Sequence, residues 1–182
     1  MTFDDPFEGA LTHVKELREF YDAAMERAVR KDIGHLDEMA CRLIAAAPML
    51  FVASYSAEGQ ADVSPRGGSP GFVTVLDDHH LAIADATGNR RLDTLENIVE
   101  TGRIGVIFVI PGRDTTLRVN GPARVSARPE LLERLTPVGK PPATAIVVEA
   151  RSTRTARRPS CARSCGTRPA GPIPPACPPR PR

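Results

Sequence analysis

The sequence predicts a mainly β protein of the α+β kind, an antiparallel barrel decorated with helices. Three observations support this class. The apolar period shortens to two residues after Pro48, the segments that follow are short and joined by tight turns, and one helical pattern interrupts them. A regular alternation of strands and helices, which would predict a parallel α/β sheet, is not seen. The pattern therefore favours a barrel.

Helical patterns fill the first quarter of the chain. Between Glu8 and Arg30, apolar residues recur every three or four positions among charged ones, which predicts a surface helix. A second helix is predicted from His35 to Ala46 and ends before Pro48, because a residue that precedes proline is pushed away from helical geometry. We assign residues 1–46 to an N-terminal helical segment and residues 47–150 to the barrel.

Two hairpins open the barrel. Residues 49–56 and 61–66 read as strands around the turn AEGQ. The segments GFVTVL and HHLAIAD read as two more strands around a tight acidic turn.

One helix separates these hairpins from the remaining strands. It is predicted in NRRLDTLENIVETG, where Leu92, Leu95 and Ile98 lie on one face and Gly102 supplies the stop. Two strands follow in RIGVIFVIPG and TLRVNGPARVSA, then a short helix in PELLERL and a last strand in ATAIVVEA.

Charge is distributed unevenly along the chain. Residues 151–182 hold eight arginines and no Asp, Glu or Lys, so the first 150 residues carry 16 basic and 22 acidic side chains. An acidic body argues against nucleic-acid binding, which needs a basic face. The sequence has no apolar run long enough for a signal peptide or a membrane span, and we expect a cytoplasmic protein without membrane partners.

Two clusters combine arginine with loop-forming residues. In DVSPRGGSPGF (62–72), backbone N–H groups and a guanidinium could converge on an anion, although a wide hairpin loop explains the same residues. In ADATGNRRLD (84–93), Asn89, Arg90 and Arg91 stand where a helix N-terminus would hold a phosphate. The alternative there is Asn89 as a helix cap beside two solvated arginines. Two such clusters a few strands apart favour a shared phosphate ligand.

Other chemistry is not indicated by the sequence. The four histidines have no partner at metal or triad spacing, and Ser64 lacks the surroundings of a hydrolase nucleophile. We predict no metal site and can assign no catalytic residue.

The order of these motifs resembles the pyridoxamine 5′-phosphate oxidase-like, FMN-binding split β-barrel proteins, in particular a bacterial subgroup of FMN-dependent enzymes. The residues that carry the resemblance are DVSPRGGSPGFVTVLDD, GNRRLDTLENI, GVIFVIPG with TLRVNGPARV, and GKPP, within about residues 40–150. The resemblance implies a homodimer that binds FMN, or a deazaflavin in its place, and acts as an oxidoreductase on a small molecule.

The resemblance also implies roles for individual residues. Arg90 takes the place of a phosphate-binding lysine, with Asn89 and Arg91 beside it. Ser64, Arg66 and Gly67 would line the phosphate and ribityl region. Arg118 would lie at the dimer interface or the flavin rim.

The chain also departs from the subgroup. Relatives usually carry PDRPGN where this chain has ADATGN, and the loss of one cationic contact weakens phosphate binding by about 1.5–3 kcal/mol. The alternatives to an enzyme are a non-catalytic flavin- or haem-binding protein and an inactive truncated product.

The last 32 residues have the composition of a frameshift product. Residues 151–182 are rich in Arg and Pro, and we expect them to be disordered. The peptide from Ala150 to Gly171 can be encoded so that the shifted frame reads AEHADCAKALMRSELWDPARW. The family's strand is followed by HCAKA, RS and LWDP in that order, and their recovery is not expected by chance. We therefore expect this chain to lack the family's C-terminal helix and to bind flavin weakly, and resequencing across the Ala150 codon tests this interpretation.

Overall fold

The structure, a computed structural model, describes residue 5 and residues 7–85, 91–135 and 140–157. The chain divides into two compact units, Met1–Arg30 and Lys31–Arg182. None of the helices within the described ranges is both long and apolar enough to cross a lipid bilayer.

The first unit contains two short helices, α1 (Val14–Phe20) and α2 (Glu26–Val29). The prediction of one continuous helix from Glu8 to Arg30 is therefore wrong in its extent. No residue of α1 is buried. Helices shorter than about 12–15 residues are marginal in water and depend on packing of an apolar face. Because the apolar stripe is not buried here, periodicity alone does not sustain a long helix.

The second unit begins before the barrel strands and includes α3 (Glu38–Ala46). Asp37 caps this helix, since its Oδ1 accepts a hydrogen bond of 2.7 Å from the backbone N–H of Ala40. Ala40, Leu43 and Ile44 are buried in the barrel core. The apolar face of α3 thus packs with the barrel core, and the boundary after residue 46 stays a prediction.

Eight strands form the barrel within the described residues, and all of their strand pairings are antiparallel. They are β1 (Met49–Tyr55), β2 (Ala61–Gly67), β3 (Val73–Val75), β4 (His80–Ala84), β5 (Arg103–Val109), β6 (Thr115–Ser126), β7 (Ala145–Glu149) and β8 (Ser152–Arg157). The helix α4 (Asp93–Thr101) precedes β5, and α5 (Pro129–Leu132) follows β6. The hydrogen-bonded order is β2-β1-β5-β6-β7-β4-β3, with β8 also on β6. The predicted split β-barrel, with N-terminal helices and a short helix between strands, is confirmed.

The barrel core follows from the alternation of side chains along the strands. In β1, Leu50 and Val52 point inward and are fully buried, whereas Met49 and Phe51 point outward. The inward rows of β5, β6 and β7 continue the same cluster, which α3 and Ile98 of α4 complete. This leaves the outward face of β1 uncovered in the single chain.

The long strand β6 joins the two parts of the sheet. Residues 115–120 pair with β8, whereas residues 123–126 pair with β7. The chain passes from β7 to β8 beside Gly121, and a Cβ built on Gly121 would lie only 1.9 Å from the carbonyl oxygen of Glu149. Glycine is therefore required at this crossing, because any side chain would overlap the neighbouring backbone.

The strand β8 corrects the prediction that disorder begins at residue 151. Thr153 exchanges two backbone hydrogen bonds with Ile33, of 3.1 and 2.6 Å. The carboxylate of Asp32 accepts hydrogen bonds from Arg154 and from Ser152, and these two bonds, that of Arg154 first, lower the pKa of Asp32. The reason for the difference is that β6 and residues 32–33 offer unpaired backbone groups, which an extended segment rich in threonine can satisfy. Residues 158–182 lie outside the described part of the chain.

Replacement of Gly121 by alanine is expected to lower the free energy of unfolding by about 1–3 kcal/mol or more, because the added methyl group forces the backbone apart. Urea unfolding at equilibrium measures the change. Gly34→Ala is the matched control, since its Cβ would make an ordinary contact of 3.6 Å with the carbonyl oxygen of Arg151. Equal stability of the two variants would contradict the role given to Gly121.

Candidate functional site

The edge strand β2 carries a polar row on the face that is core elsewhere in the sheet. Asp62, Ser64 and Arg66 lie opposite the buried Ser54, Val52 and Leu50 of β1. The three β2 side chains are half-buried, because no further strand continues the sheet beyond β2. The alternation D-x-S-x-R thus brings a carboxylate, a hydroxyl and a guanidinium to one side of the sheet edge.

The helix α4 lies against this polar row and is fixed to it by side-chain hydrogen bonds. Thr94 is buried, and its Oγ1 donates to Oδ2 of Asp62 at 2.9 Å. The hydroxyl of Ser64 donates to the same oxygen at 3.3 Å. One turn further along the helix, Nδ2 of Asn97 donates to Oγ of Ser54 at 3.0 Å. These bonds hold the first turn of α4 beside β2.

An open cleft of about 370 Å³, here named the edge cleft, lies between β2 and the start of α4. Two arginines, two aspartates and two hydroxyl residues line it: Asp62, Ser64, Arg66, Arg91, Asp93 and Thr94. Nε of Arg91 donates to Oδ2 of Asp93 at 2.9 Å, and Nη1 of Arg66 donates to the carbonyl oxygen of Pro65 at 3.0 Å. The start of a helix adds backbone N–H groups that have no partner within the helix.

The structure brings three of the predicted site residues together. Ser64 and Arg66 come from the first arginine cluster and Arg91 from the second, and all three line the edge cleft. Asn89 and Arg90 lie outside the described residues.

Two further predicted residues do not line the edge cleft of the single chain. Gly67 belongs to the opposite face of β2, where a Cβ would lie 3.1 Å from the carbonyl oxygen of Pro48. Arg118 is exposed on β6, between Ile107 of β5 and Arg154 of β8. A role for either residue in cofactor binding stays a prediction.

Sequence reasoning missed the two carboxylates and the buried threonine of the cleft. Asp62 had a signal, since it precedes Ser64 and Arg66 by two and four positions and so shares their face of a strand. Asp93 also had a signal, as an acidic residue two positions after Arg91. Thr94 had none, because its partner Asp62 is 32 positions away in the chain.

Two other surface clefts, of about 480 and 420 Å³, have none of the predicted site residues among the described residues that line them. The edge cleft is therefore the candidate functional site. Paired guanidinium groups and hydroxyls at a helix start are the donors that bind phosphate.

The family model described as pyridoxamine 5′-phosphate oxidase matches residues 36–157, about two thirds of the chain. The match spans α3, the barrel, and both β2 and α4, which carry the edge-cleft residues. A search of curated proteins found no match.

Solved structures with the same fold come from several bacteria. HupZ of Group A Streptococcus is 19% identical with a TM-score of 0.54, over 66% of this chain and 94% of that one. A candidate pyridoxamine 5′-phosphate oxidase from Lactobacillus delbrueckii is 22% identical with a TM-score of 0.53, over 68% and 98%. A Clostridium acetobutylicum protein related to general stress protein 26 of Bacillus subtilis, of the pyridoxinephosphate oxidase family, is 15% identical with a TM-score of 0.50, over 66% and 90%. At these identities the likeness shows the fold alone.

Replacement of Thr94 by valine keeps the side-chain shape and removes the hydroxyl that donates to Asp62. We expect the free energy of unfolding to fall by about 1–3 kcal/mol, because the half-buried carboxylate loses a donor. Thr101→Val is the control at the other end of α4, where Oγ1 donates to the carbonyl oxygen of Asn97 within the same helix at 2.7 Å. This control should change stability by no more than about 0.5 kcal/mol. Urea unfolding compares the two, and equal losses would contradict the anchoring role of Thr94.

Proposed function

Because the chain belongs to the pyridoxamine 5′-phosphate oxidase family, we propose that it is an FMN-dependent oxidoreductase whose cofactor phosphate binds in the edge cleft. The substrate is a small molecule of unknown identity. When bound, the flavin supplies hydride or electron transfer, and the protein supplies position and electrostatics.

The observation that supports the proposal is the meeting of two distant arginine clusters in one cleft. Arg66 and Arg91 are 25 positions apart in the sequence and reach the cleft from a strand and from the approach to a helix. Guanidinium groups bind phosphate through two parallel hydrogen bonds, and the hydroxyls of Ser64 and Thr94 add polar contacts. These residues suit the phosphate end of FMN.

The edge cleft does not distinguish FMN from a phosphorylated deazaflavin, since both carry the same anionic group. It does favour a flavin over haem. Haem iron is commonly held by His, Cys, Met or Tyr, and none of the described residues that line the cleft is of these types. A binding protein without turnover remains the second candidate function, which the flavin's redox behaviour separates from an enzyme.

We further propose that the functional form is a homodimer, joined through the outward face of β1, β2 and β5. Phe51 lies between Pro65 of β2 and Ile107 of β5, and the neighbouring row places Ala53 between Val63 and Gly105. Val63 is 65% exposed and Phe51 38% exposed in the single chain. A continuous apolar sheet face of this kind is typical of a surface that a partner covers.

Alanine at Arg66 or Arg91 tests the proposed cofactor site. Each substitution is expected to weaken FMN binding about tenfold to a hundredfold, because one hydrogen-bonded charge is lost. Riboflavin, which lacks the phosphate, should bind all variants equally. Arg103→Ala, at an exposed arginine at the start of β5, is the control. Flavin fluorescence measures binding.

The redox behaviour of the bound flavin separates an enzyme from a binding protein. Bleaching by a reduced nicotinamide and recolouring in air would support an enzyme, whereas failure to take up FMN or a deazaflavin would refute the cofactor proposal.

Replacement of Phe51 by lysine tests the proposed dimer. A charge at the centre of the apolar face is expected to raise the dimer dissociation constant by about thirtyfold or more, on the scale of an interface hot spot. Val99→Lys is the control, since Val99 is 72% exposed on α4, outside the proposed interface. Sedimentation equilibrium measures both. A wild-type chain that stays monomeric, or equal effects of the two substitutions, would refute the dimer proposed here.

A further inference from the structure

Among the described residues that line it, the edge cleft carries as many carboxylates as guanidinium groups. Its lining contains Arg66 and Arg91 and also Asp62 and Asp93, so the formal charges of these four side chains cancel. A phosphate dianion that enters the cleft meets two carboxylates as well as two guanidinium groups. The two carboxylates therefore need to be considered separately.

Asp62 and Asp93 stand in different environments. Asp62 is half-buried, and its Oδ2 accepts hydrogen bonds from the hydroxyls of Ser64 and Thr94. It ties β2 to α4 and serves the structure of the cleft wall. Asp93 is the first residue of α4, its side chain is 49% exposed, and it holds the guanidinium of Arg91 at 2.9 Å.

We propose that Asp93 is an internal competitor for the phosphate site and sets how tightly the edge cleft binds phosphate esters. The inference rests on the proposed function and names a residue that regulates the same site. A phosphate that engages Arg91 must share this guanidinium with Asp93 or displace it. In either case the carboxylate stays within a few ångströms of the dianion and repels it.

The size of the effect on phosphate affinity depends on how exposed the side chains of Asp93 and Arg91 are to solvent. Loss of the carboxylate charge removes both its exposed ion pair with Arg91 and its repulsion of the phosphate, and each of these effects is small near the surface. Removal of the carboxylate charge should therefore strengthen phosphate binding by about threefold to tenfold. The effect should be confined to ligands that carry the phosphate, because the competition is for the cation.

The variant Asp93→Asn tests the proposal, with Glu96→Gln as the matched control. Both residues are acidic and exposed in the first turn of α4, so both substitutions remove the same charge from the same helix end, but Glu96 is not part of the cleft lining. FMN, riboflavin and inorganic phosphate are titrated against wild type and both variants by calorimetry. We expect Asp93→Asn to bind FMN and phosphate about threefold to tenfold more tightly than wild type, with riboflavin unchanged and Glu96→Gln within about twofold of wild type.

The outcomes distinguish failure of the competitor role from failure of the flavin proposal. If FMN binds wild type and Asp93→Asn equally, or if riboflavin or the Glu96→Gln protein gains as much, the competitor role is refuted while the flavin proposal stands. If Asp93→Asn gains affinity for inorganic phosphate and no protein binds FMN, the competitor role stands and the flavin proposal fails. Absence of binding of all three ligands overturns both.

Discussion

The rest of the fold depends on the close approach of two backbones at Gly121. The strand β6 pairs with β5 on one side along residues 116–122, and on its other side it changes partner from β8 to β7. This change requires the turn from β7 into β8 to pass within van der Waals contact of β6, and the 1.9 Å gap to a Cβ shows that only hydrogen fits there. A barrel that is split into two connected parts is the geometric consequence.

The position of the candidate site is determined by the edge of the sheet at β2. Most strands bury one face in the core, but β2 has a neighbour on one side only, and its inner face carries Asp62, Ser64 and Arg66 in place of apolar residues. A polar row at a sheet edge must be satisfied by something other than another strand. The helix α4 fulfils this role through Thr94, which bonds Asp62, while Asn97 bonds Ser54 of β1. The first turn of α4 thereby comes to stand beside the arginines. The contacts that hold α4 also form the wall of the edge cleft, so substitutions that loosen α4 are expected to alter the cleft.

Most of the strands and helices, and part of the candidate site, could be predicted from the sequence because the residues that determine them are close together in the chain. The helix stop at Gly102 is one example: it adopts a left-handed φ of 67°, and its N–H bonds the carbonyl oxygen of Ile98 at 2.9 Å. The convergence of Arg66 and Arg91 was foreseen from two clusters. The sequence does not predict three other features: the pairing of Asp62 with Thr94, the inclusion of α3 in the barrel, and the break between α1 and α2. These depend on tertiary packing, which decides whether a periodic apolar stripe is buried and which polar group meets which.

The strand β8 illustrates the difference between backbone and side-chain information. Its pairing with β6 uses backbone groups that nearly any residue offers, so the presence of the strand is compatible with either reading frame. Its side chains suit the position less well. The Oγ1 of Thr153 is buried without a hydrogen-bond partner among the described residues, which costs about 1–3 kcal/mol.

A second conflict lies on the outer face of the same strand. Arg154 stands directly opposite Arg118 of β6, and like charges in facing positions of an antiparallel pair are destabilising. Native sequences tend to avoid several local conflicts within one short element. The buried, unsatisfied hydroxyl and the two facing arginines are two such conflicts, and the bonds of Ser152 and Arg154 to Asp32 offset part of their cost. The change of reading frame near Ala150 stays a prediction, because the family model matches the chain through residue 157 and β8 pairs within the sheet.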